Sequence, residues 1–275
     1  MADKRWVSTT GDFSAAASYS PSGVPAVNDS IYADGSSQVD MLSGLTVFTA
    51  QNIARMWLQP PYQGDAGATG NPLDAQIRWL IHQGTGSVHF AQRVNSQGQT
   101  HIVVDSPNQQ DAFELKSVAN TCYLECVNGG VTILDGAGAL GGILVGSRTG
   151  IGPFVTIGTG VTAVNFRLSS GIVTTKSPVG TAAGGCVIDG GTLIYDALGT
   201  TLWNRLDVTG GTVIYNGNAN LSEAIVSSGT LDMTQDSRAK TIAVLILMPG
   251  ANYLAHDNIT AAVKIDLRDS YPILP

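Results

Sequence analysis

The chain has 275 residues, a formal net charge of −7, 33 glycines and only 14 Lys and Arg. No cationic cluster exceeds Lys4-Arg5, which excludes the basic stripe a nucleic-acid binder needs, and the acidic balance repels anionic membranes. No apolar run approaches the roughly 18 residues of a membrane-spanning helix, and the surplus of Gly, Thr, Val, Ile and Ser suits short strands with tight turns.

Residues 1–40 read as loop chemistry, with turn signals at Thr9-Thr10-Gly11-Asp12, Ser20-Pro21-Ser22-Gly23 and Asn28-Asp29, then a short strand over Ser30 to Ala33. Large apolar residues are too few for this arm to fold alone. It must pack on the end of its own domain or on a partner. Met1 to Trp6 is not followed by an apolar signal segment, so synthesis in a cytoplasm is expected.

The arm carries a frame: Trp6, Gly11-Asp12-Phe13, Ala16, Tyr19-Ser20, Gly23-Val24-Pro25 and Asn28-Asp29. This frame resembles the opening of β-helical surface proteins, both adhesin-like bacterial passengers and virion proteins of tailed phages. Phe13 and Tyr19 stand where those proteins usually have Trp. The resemblance implies an arm that docks the protein on a larger assembly, with Trp6, Phe13, Tyr19 and Tyr32 as candidate capsid-docking residues.

Residues 41–127 read as an irregular β region forming the first rungs. Ile53-Ala54-Arg55-Met56-Trp57-Leu58 and Ile77-Arg78-Trp79-Leu80-Ile81 lie 22 residues apart when aligned Trp to Trp. The stretch from Leu45 to Gln59 also admits a short helix, but Met56 and Leu58 alternate against Arg55 and Trp57, which favours strands. Tyr62-Gln63-Gly64 and Pro72-Leu73 are similar to the loop and strand start that follow the opening in the phage proteins, which turns the resemblance towards a virion. From Val88 strands come quickly, and a regular coil is expected from about residue 86, or earlier if the Trp57 and Trp79 strands are its first rungs.

Residues 128–275 carry the strongest pattern. Gly130, Gly150, Gly171, Gly191, Gly211, Gly229 and Gly250 recur at intervals of 20, 21, 20, 20, 18 and 21 residues, each followed by a short β-rich run. A period near 20 with glycine corners predicts an all-β fold, a parallel β-solenoid with a C-terminal cap. Leu193, Tyr195, Val213, Tyr215, Leu231 and Met233 should point inward, because the alternate set contains Asp232, which cannot sit unpaired in the lumen. That leaves Ile194 and Ile214 stacked outside as a candidate oligomer interface. Thr241 to Met248 is almost wholly apolar and reads as a strand buried on both faces. Ala261 to Leu267 alternates, and the tail from Ser270 to Pro275 is expected to cap the open end.

Catalytic chemistry finds no assembled group. Asp135, Asp189, Asp196, Asp207 and Asp232 are the acidic candidates for glycoside hydrolysis. Asp135 and Asp196 share a corner position, but three rungs would put them about 14 Å apart, too far for either hydrolytic geometry. Cys122 and Cys126 face the same side of a strand as core residues, too distant for a bridge within it. His82, His89, His101 and His256 are scattered, so no metal or other cofactor is expected.

The expectation is therefore a non-enzymatic structural virion protein: a head decoration, or cement, protein made in the host cytoplasm. It would sit on the capsid exterior as a homotrimer, bind the major capsid protein and contact neither nucleic acid nor membrane. The alternative is a receptor-binding fibre or tailspike-like protein that grips glycans, with Tyr195, Trp203, Tyr215 and Tyr253 as candidate platforms.

Overall fold

The computed structural model describes residues 2–46, 48, 52–93, 98–118, 121–147, 152–181 and 185–269. It is an all-β protein, a parallel β-solenoid of about 10 turns with rungs of about 21 residues. The chain divides into two compact units, Met1–Gly141 and Gly142–Pro275.

The first unit begins with β1 (Asp3–Trp6), a 3-10 turn at Ala16–Ser18, β2 (Tyr19–Ser20) and β3 (Ser30–Ala33). It continues through β4 (Asn52–Leu58), β5 (Leu73–His82), β6 (Val88–Gln92), β7 (Thr100–Asp105), β8 (Phe113–Ser117), β9 (Cys122–Asn128) and β10 (Gly130–Ile133). One face is the parallel ladder β1-β3-β4-β5-β7-β9. A second face stacks β6, β8 and β10 on the start of β5, whose ten residues turn the corner between the two faces. The coil therefore starts at the first residues of the chain.

The expected docking arm is the first part of this coil. Trp6, Phe13 and Tyr19 are fully or almost fully buried. Trp6 lies 5.7 Å from the rings of both Phe13 and Tyr19, and Phe13 meets Phe48 edge-on at 5.0 Å. The polar tips are satisfied internally: Trp6 Nε1 donates to the Val39 carbonyl at 3.1 Å, and the Tyr19 hydroxyl to the Phe13 carbonyl at 2.7 Å.

The register also corrects the Trp-to-Trp alignment. Arg55, not Trp57, sits beside Trp79, and Trp57 sits beside Ile81. This rung therefore spans 24 residues, two more than the next one, in which Trp79 sits beside His101.

β11 (Ala139–Val145) lies at the boundary between the units. The second unit then alternates between two ladders. One holds β12 (Phe154–Ile157), β14 (Ile172–Thr175), β16 (Thr192–Tyr195), β18 (Thr212–Tyr215), β20 (Gly229–Met233) and β22 (Ala251–Ala255). The other holds β13 (Thr162–Leu168), β15 (Cys186–Ile188), β17 (Trp203–Val208), β19 (Leu221–Val226), β21 (Lys240–Leu247) and β23 (Ile259–Asp266).

The glycine series explains why these rungs stay in register. Gly171, Gly191, Gly211, Gly229 and Gly250 all have φ between +63° and +92°, a left-handed region that residues with a Cβ avoid. A Cβ on Gly191 would meet the carbonyl oxygen of Gly171 at 2.5 Å, and one on Gly229 would meet that of Gly211 at the same distance. At Gly191, Gly211 and Gly229 the missing Cβ therefore makes room for the carbonyl of the preceding corner glycine. Gly150 lies outside the described residues.

With the corners fixed, side chains fall into columns. Val155, Val173, Leu193, Val213 and Leu231 form one buried column, and Ile157, Thr175, Tyr195 and Tyr215 form the next, with Met233 buried in the rung that follows. Asp232 points outward, where it accepts hydrogen bonds from the Thr234 amide and hydroxyl. Ile194 and Ile214 are direct neighbours in register on that outer face, half-buried in the single chain.

β21 departs from expectation. Its inner residues Ile242, Leu245 and Leu247 are buried, but Val244 and Ile246 are only half covered and Ala243 is exposed. A strand in a single-layered coil wall has an outer face, so an apolar sequence does not ensure burial on both sides. Residues 270–275, expected as the C-terminal cap, lie outside the described residues.

Candidate functional site

Aromatic side chains stack on the outer face of the β4-β5-β7-β9 ladder in the first unit. Parallel in-register rungs stand about 4.8 Å apart, which places equivalent side chains in ring-stacking range. Trp79, His101 and Tyr123 occupy one outward column. The Trp79 and His101 rings lie 4.3 Å apart and 14° from parallel, and His101 and Tyr123 lie 5.3 Å apart and 15° from parallel. Burial between its neighbours, and then the Arg78 charge, lower the His101 pKa, so the ring is neutral at physiological pH. A neutral imidazole stacks face to face without stranding a charge between two rings.

The adjoining column contains Arg5, Tyr32, Trp57, Ile81, Val103 and Glu125. Trp57 packs against Tyr32 at 6.2 Å. Beyond it runs a polar ladder: Trp57 Nε1 donates to Gln83 Oε1 at 2.9 Å, and Gln83 Nε2 to Asp105 Oδ2 at 3.3 Å. Asn128 Nδ2 donates to the other Asp105 oxygen at 2.7 Å. These bonds lock the Trp57 indole in one orientation. The result is a rigid aromatic and aliphatic surface with a polar margin, ordered before any partner arrives.

Two concave features lie elsewhere. A groove of about 320 Å³ in the first unit holds Thr69, Ser87, His89, Asp111, Glu114 and Thr132, with His89 Nδ1 3.2 Å from Glu114 Oε1. The carboxylate orients the imidazole, but no hydrogen bond joins a hydroxyl nucleophile to it among the described residues. A cleft of about 670 Å³ in the second unit runs between the Lys176–Pro178 corner and the Asp196–Leu202 loop, whose Leu198 is the most exposed large apolar side chain described. Among the described residues, no group of three or more His, Cys, Asp or Glu could hold a metal ion.

Three of the five acidic residues considered for hydrolysis are spent on structure. Asp189 pairs with Arg167 and accepts from the Thr209 hydroxyl, Asp207 binds Arg205 at 2.9 Å, and Asp232 caps Thr234. Cys122, Cys126 and Cys186 are free and buried, and burial pushes the Cys122 thiol up to about 12.

Comparison with family models, with curated proteins and with solved structures yields no match.

The aromatic residues expected at a binding surface are largely redistributed. Trp6, Phe13 and Tyr19 are buried, as described above, so of the docking set only Tyr32 reaches a surface. Of the glycan-platform set, Tyr195, Trp203 and Tyr215 are buried together in the lumen of the second unit, with ring centroids 4.8 to 5.9 Å apart. They fill the coil and cannot contact a glycan without its opening. Tyr253 is half-exposed near the end of the second unit. The exposed platform that does form, Trp57, Trp79, His101 and Tyr123, was missed. Its signal was in the sequence: Trp79, His101 and Tyr123 continue the 22-residue spacing noted between the two tryptophans.

Proposed function

We propose that the protein is a structural component of a tailed-phage virion, a head decoration protein that sits on the capsid exterior as a homotrimer and stabilises the shell. The observation that carries this reading is the prearranged face of Tyr32, Trp57, Trp79, His101 and Tyr123. Trp, Tyr and Arg dominate the residues that anchor protein interfaces, and here Arg55 and Arg78 stand beside the rings. Docked on the major capsid protein, the face would bury apolar area across subunit junctions, and anything that binds the assembled shell preferentially stabilises it. The half-buried Ile194 and Ile214 pair supplies the lateral contact of the trimer. The opening that resembles β-helical virion proteins supports the same placement, with synthesis in the host cytoplasm and binding rather than catalysis as the task.

The test uses purified particles and the isolated protein. Quantitative mass spectrometry should find hundreds of copies per particle; a dozen or so would sink the decoration reading. Replacing both Trp79 and Tyr123 by Ala should leave the fold intact by circular dichroism and weaken binding to undecorated shells by at least about tenfold. Light scattering should give three chains, and Ile194→Asp with Ile214→Asp should dissociate them.

The same face favours a second reading, glycan binding by a receptor-recognition fibre. Pyranose rings stack on flat aromatic surfaces, and Gln83, Asp105 and Asn128 offer hydrogen-bonding groups beside the platform. A glycan array with strong hits that vanish in the Trp79→Ala variant, together with unchanged shell binding, would decide for this alternative.

A further inference from the structure

Among the described residues β23 pairs on one side only, with β21. Its outward residues Val263, Ile265 and Leu267 are 51%, 42% and 36% exposed. A long apolar strand with an unpaired edge invites addition of another strand.

From this edge we infer that the protein associates with a second copy of itself through β23, the two strands running antiparallel about a twofold axis at Ile265.

The register follows from backbone and charge together. The Leu267 amide donates to the Leu247 carbonyl on the β21 side. Backbone groups alternate along a strand, so the N–H and C=O of Lys264 and Asp266 face the free edge. In an antiparallel pair centred on Ile265, Lys264 lies opposite Asp266 of the second copy, and these two residues exchange both backbone hydrogen bonds. The residues with free backbone groups thus carry opposite charges at mirrored positions. The charges match twice, once on each side of the axis. Their present partners are local: Lys264 Nζ lies 3.4 Å from Asp266 Oδ2, and Arg268 Nη2 lies 2.7 Å from the same oxygen.

The other face of the strand is equally self-complementary. Val263 falls opposite Leu267 of the second copy, and Ile265 opposite itself. These are the exposed apolar residues. The apolar strip made by Ile225, Ile246 and Ile265 in successive rungs would continue without a break into the second copy. A shift of one residue in either direction would face Lys264 with an apolar neighbour and lose both ion pairs, so the charges select one register.

This contact is independent of the decoration reading and uses a different ladder from Ile194 and Ile214. If both contacts form, three chains related by a threefold axis and joined end to end by twofold axes close at six.

Sedimentation velocity and native mass spectrometry over a concentration series test the inference. The wild-type chain should populate a species with twice the chains of its smallest assembly. Asp266→Lys places Lys opposite Lys at both positions and should raise the dissociation constant by at least about tenfold. Lys264→Asp combined with Asp266→Lys restores opposite charges in the same register and should recover the doubled species. Circular dichroism shows that each variant folds, and Ile265→Asp, which buries two carboxylates at the axis, is a second disrupting change. A wild-type chain that never doubles overturns the proposal, as does a folded Asp266→Lys variant that doubles normally or a folded charge swap that fails to recover. So does a chain that doubles only after residues 270–275 are removed, because its own tail would then occupy the edge.

Discussion

Acidification from neutral pH to about pH 5 should weaken the first unit through a single buried side chain, His82. The residue sits in the inner column of the coil with Leu58 on one side and Val104 on the other, fully buried. Among the described residues neither ring nitrogen makes a hydrogen bond of good geometry, the Gly86 backbone being the polar group beside the ring. Burial lowers its pKa from 6.5 to about 4, slightly opposed by the Gly86 backbone, and no charged side chain faces it from the adjoining strands in that column. Between these two values the unfolded chain binds a proton that the folded chain refuses. The stability contributed by the neutral ring is therefore fully present above 6.5, is lost as pH falls through that window, and stops changing below about 4. Linkage gives a loss of about 2 kcal/mol by pH 5 and about 3 kcal/mol once the folded ring is also protonated.

The matching perturbation is His82→Leu, which fits an apolar column and removes two unpartnered nitrogens. It should raise stability at neutral pH by about 1 kcal/mol and abolish this component of the pH dependence. Urea unfolding at a series of pH values, followed by tryptophan fluorescence, reports it well, since three of the four tryptophans (Trp6, Trp57 and Trp79) lie in the first unit. Carboxylates elsewhere also respond to acid, so the informative quantity is the difference between wild type and variant. Parallel loss of stability in both proteins from pH 6.5 to pH 4 would refute the reasoning.

Two further outcomes follow from the second unit. Lys240 is buried and lies 2.9 Å from Asp236 Oδ2, while Arg238 holds the Asp236 carboxyl well below the usual carboxylate range with help from Lys240. Asp236→Asn strands the ammonium and should cost about 3 kcal/mol by denaturant unfolding; a loss of under about 1 kcal/mol would mean that solvent or the neighbouring carbonyls already neutralise it. Gly191→Ala adds a Cβ at φ +67° and against the Gly171 carbonyl, and should cost about 2 kcal/mol, whereas Gly199→Ala, where nothing lies within reach, should cost far less. Equal thermal shifts in the two variants would remove the stacked-corner argument.

The fold was legible where the chain repeats its punctuation. In the second unit, Gly171, Gly191, Gly211 and Gly229 mark each corner, so counting from them separates Leu193 and Tyr195 from Ile194 without knowledge of tertiary structure. The first unit lacks that punctuation at even intervals. Its longer turn before β5 shifts the register by two residues, and a shift in a turn leaves no trace in hydrophobic alternation. The docking aromatics were misread for a different reason. A segment with many turns and few apolar residues suggests solvent exposure, but its few rings pack on one another and on Phe48 inside the first unit. Tyr195 and Tyr215 show the converse difficulty, because a phenol is suited to a core or a binding platform and only the register decides between them. His82 could not have been placed from composition, since alternation assigns it to the lumen but not its lack of partners.

The stacked corner glycines have one more consequence, for how the length of such a chain can change. The segments from Gly191 and from Gly211 open almost alike, as GTLIYD and GTVIYN, and occupy successive rungs in perfect register. Each therefore offers the next rung nearly the same surface that it received from the one before. Duplicating residues 191–210 would lengthen the coil by one step of about 4.8 Å and create a single new junction, that rung stacked on its own copy, while the junctions on either side keep their native neighbours. Growth or loss by whole rungs is structurally quiet, whereas insertion of even a single residue between Leu193 and Tyr195 would put the two on opposite faces of the wall. Length in this architecture is thus counted in integers, and reach can be altered without redesigning either end.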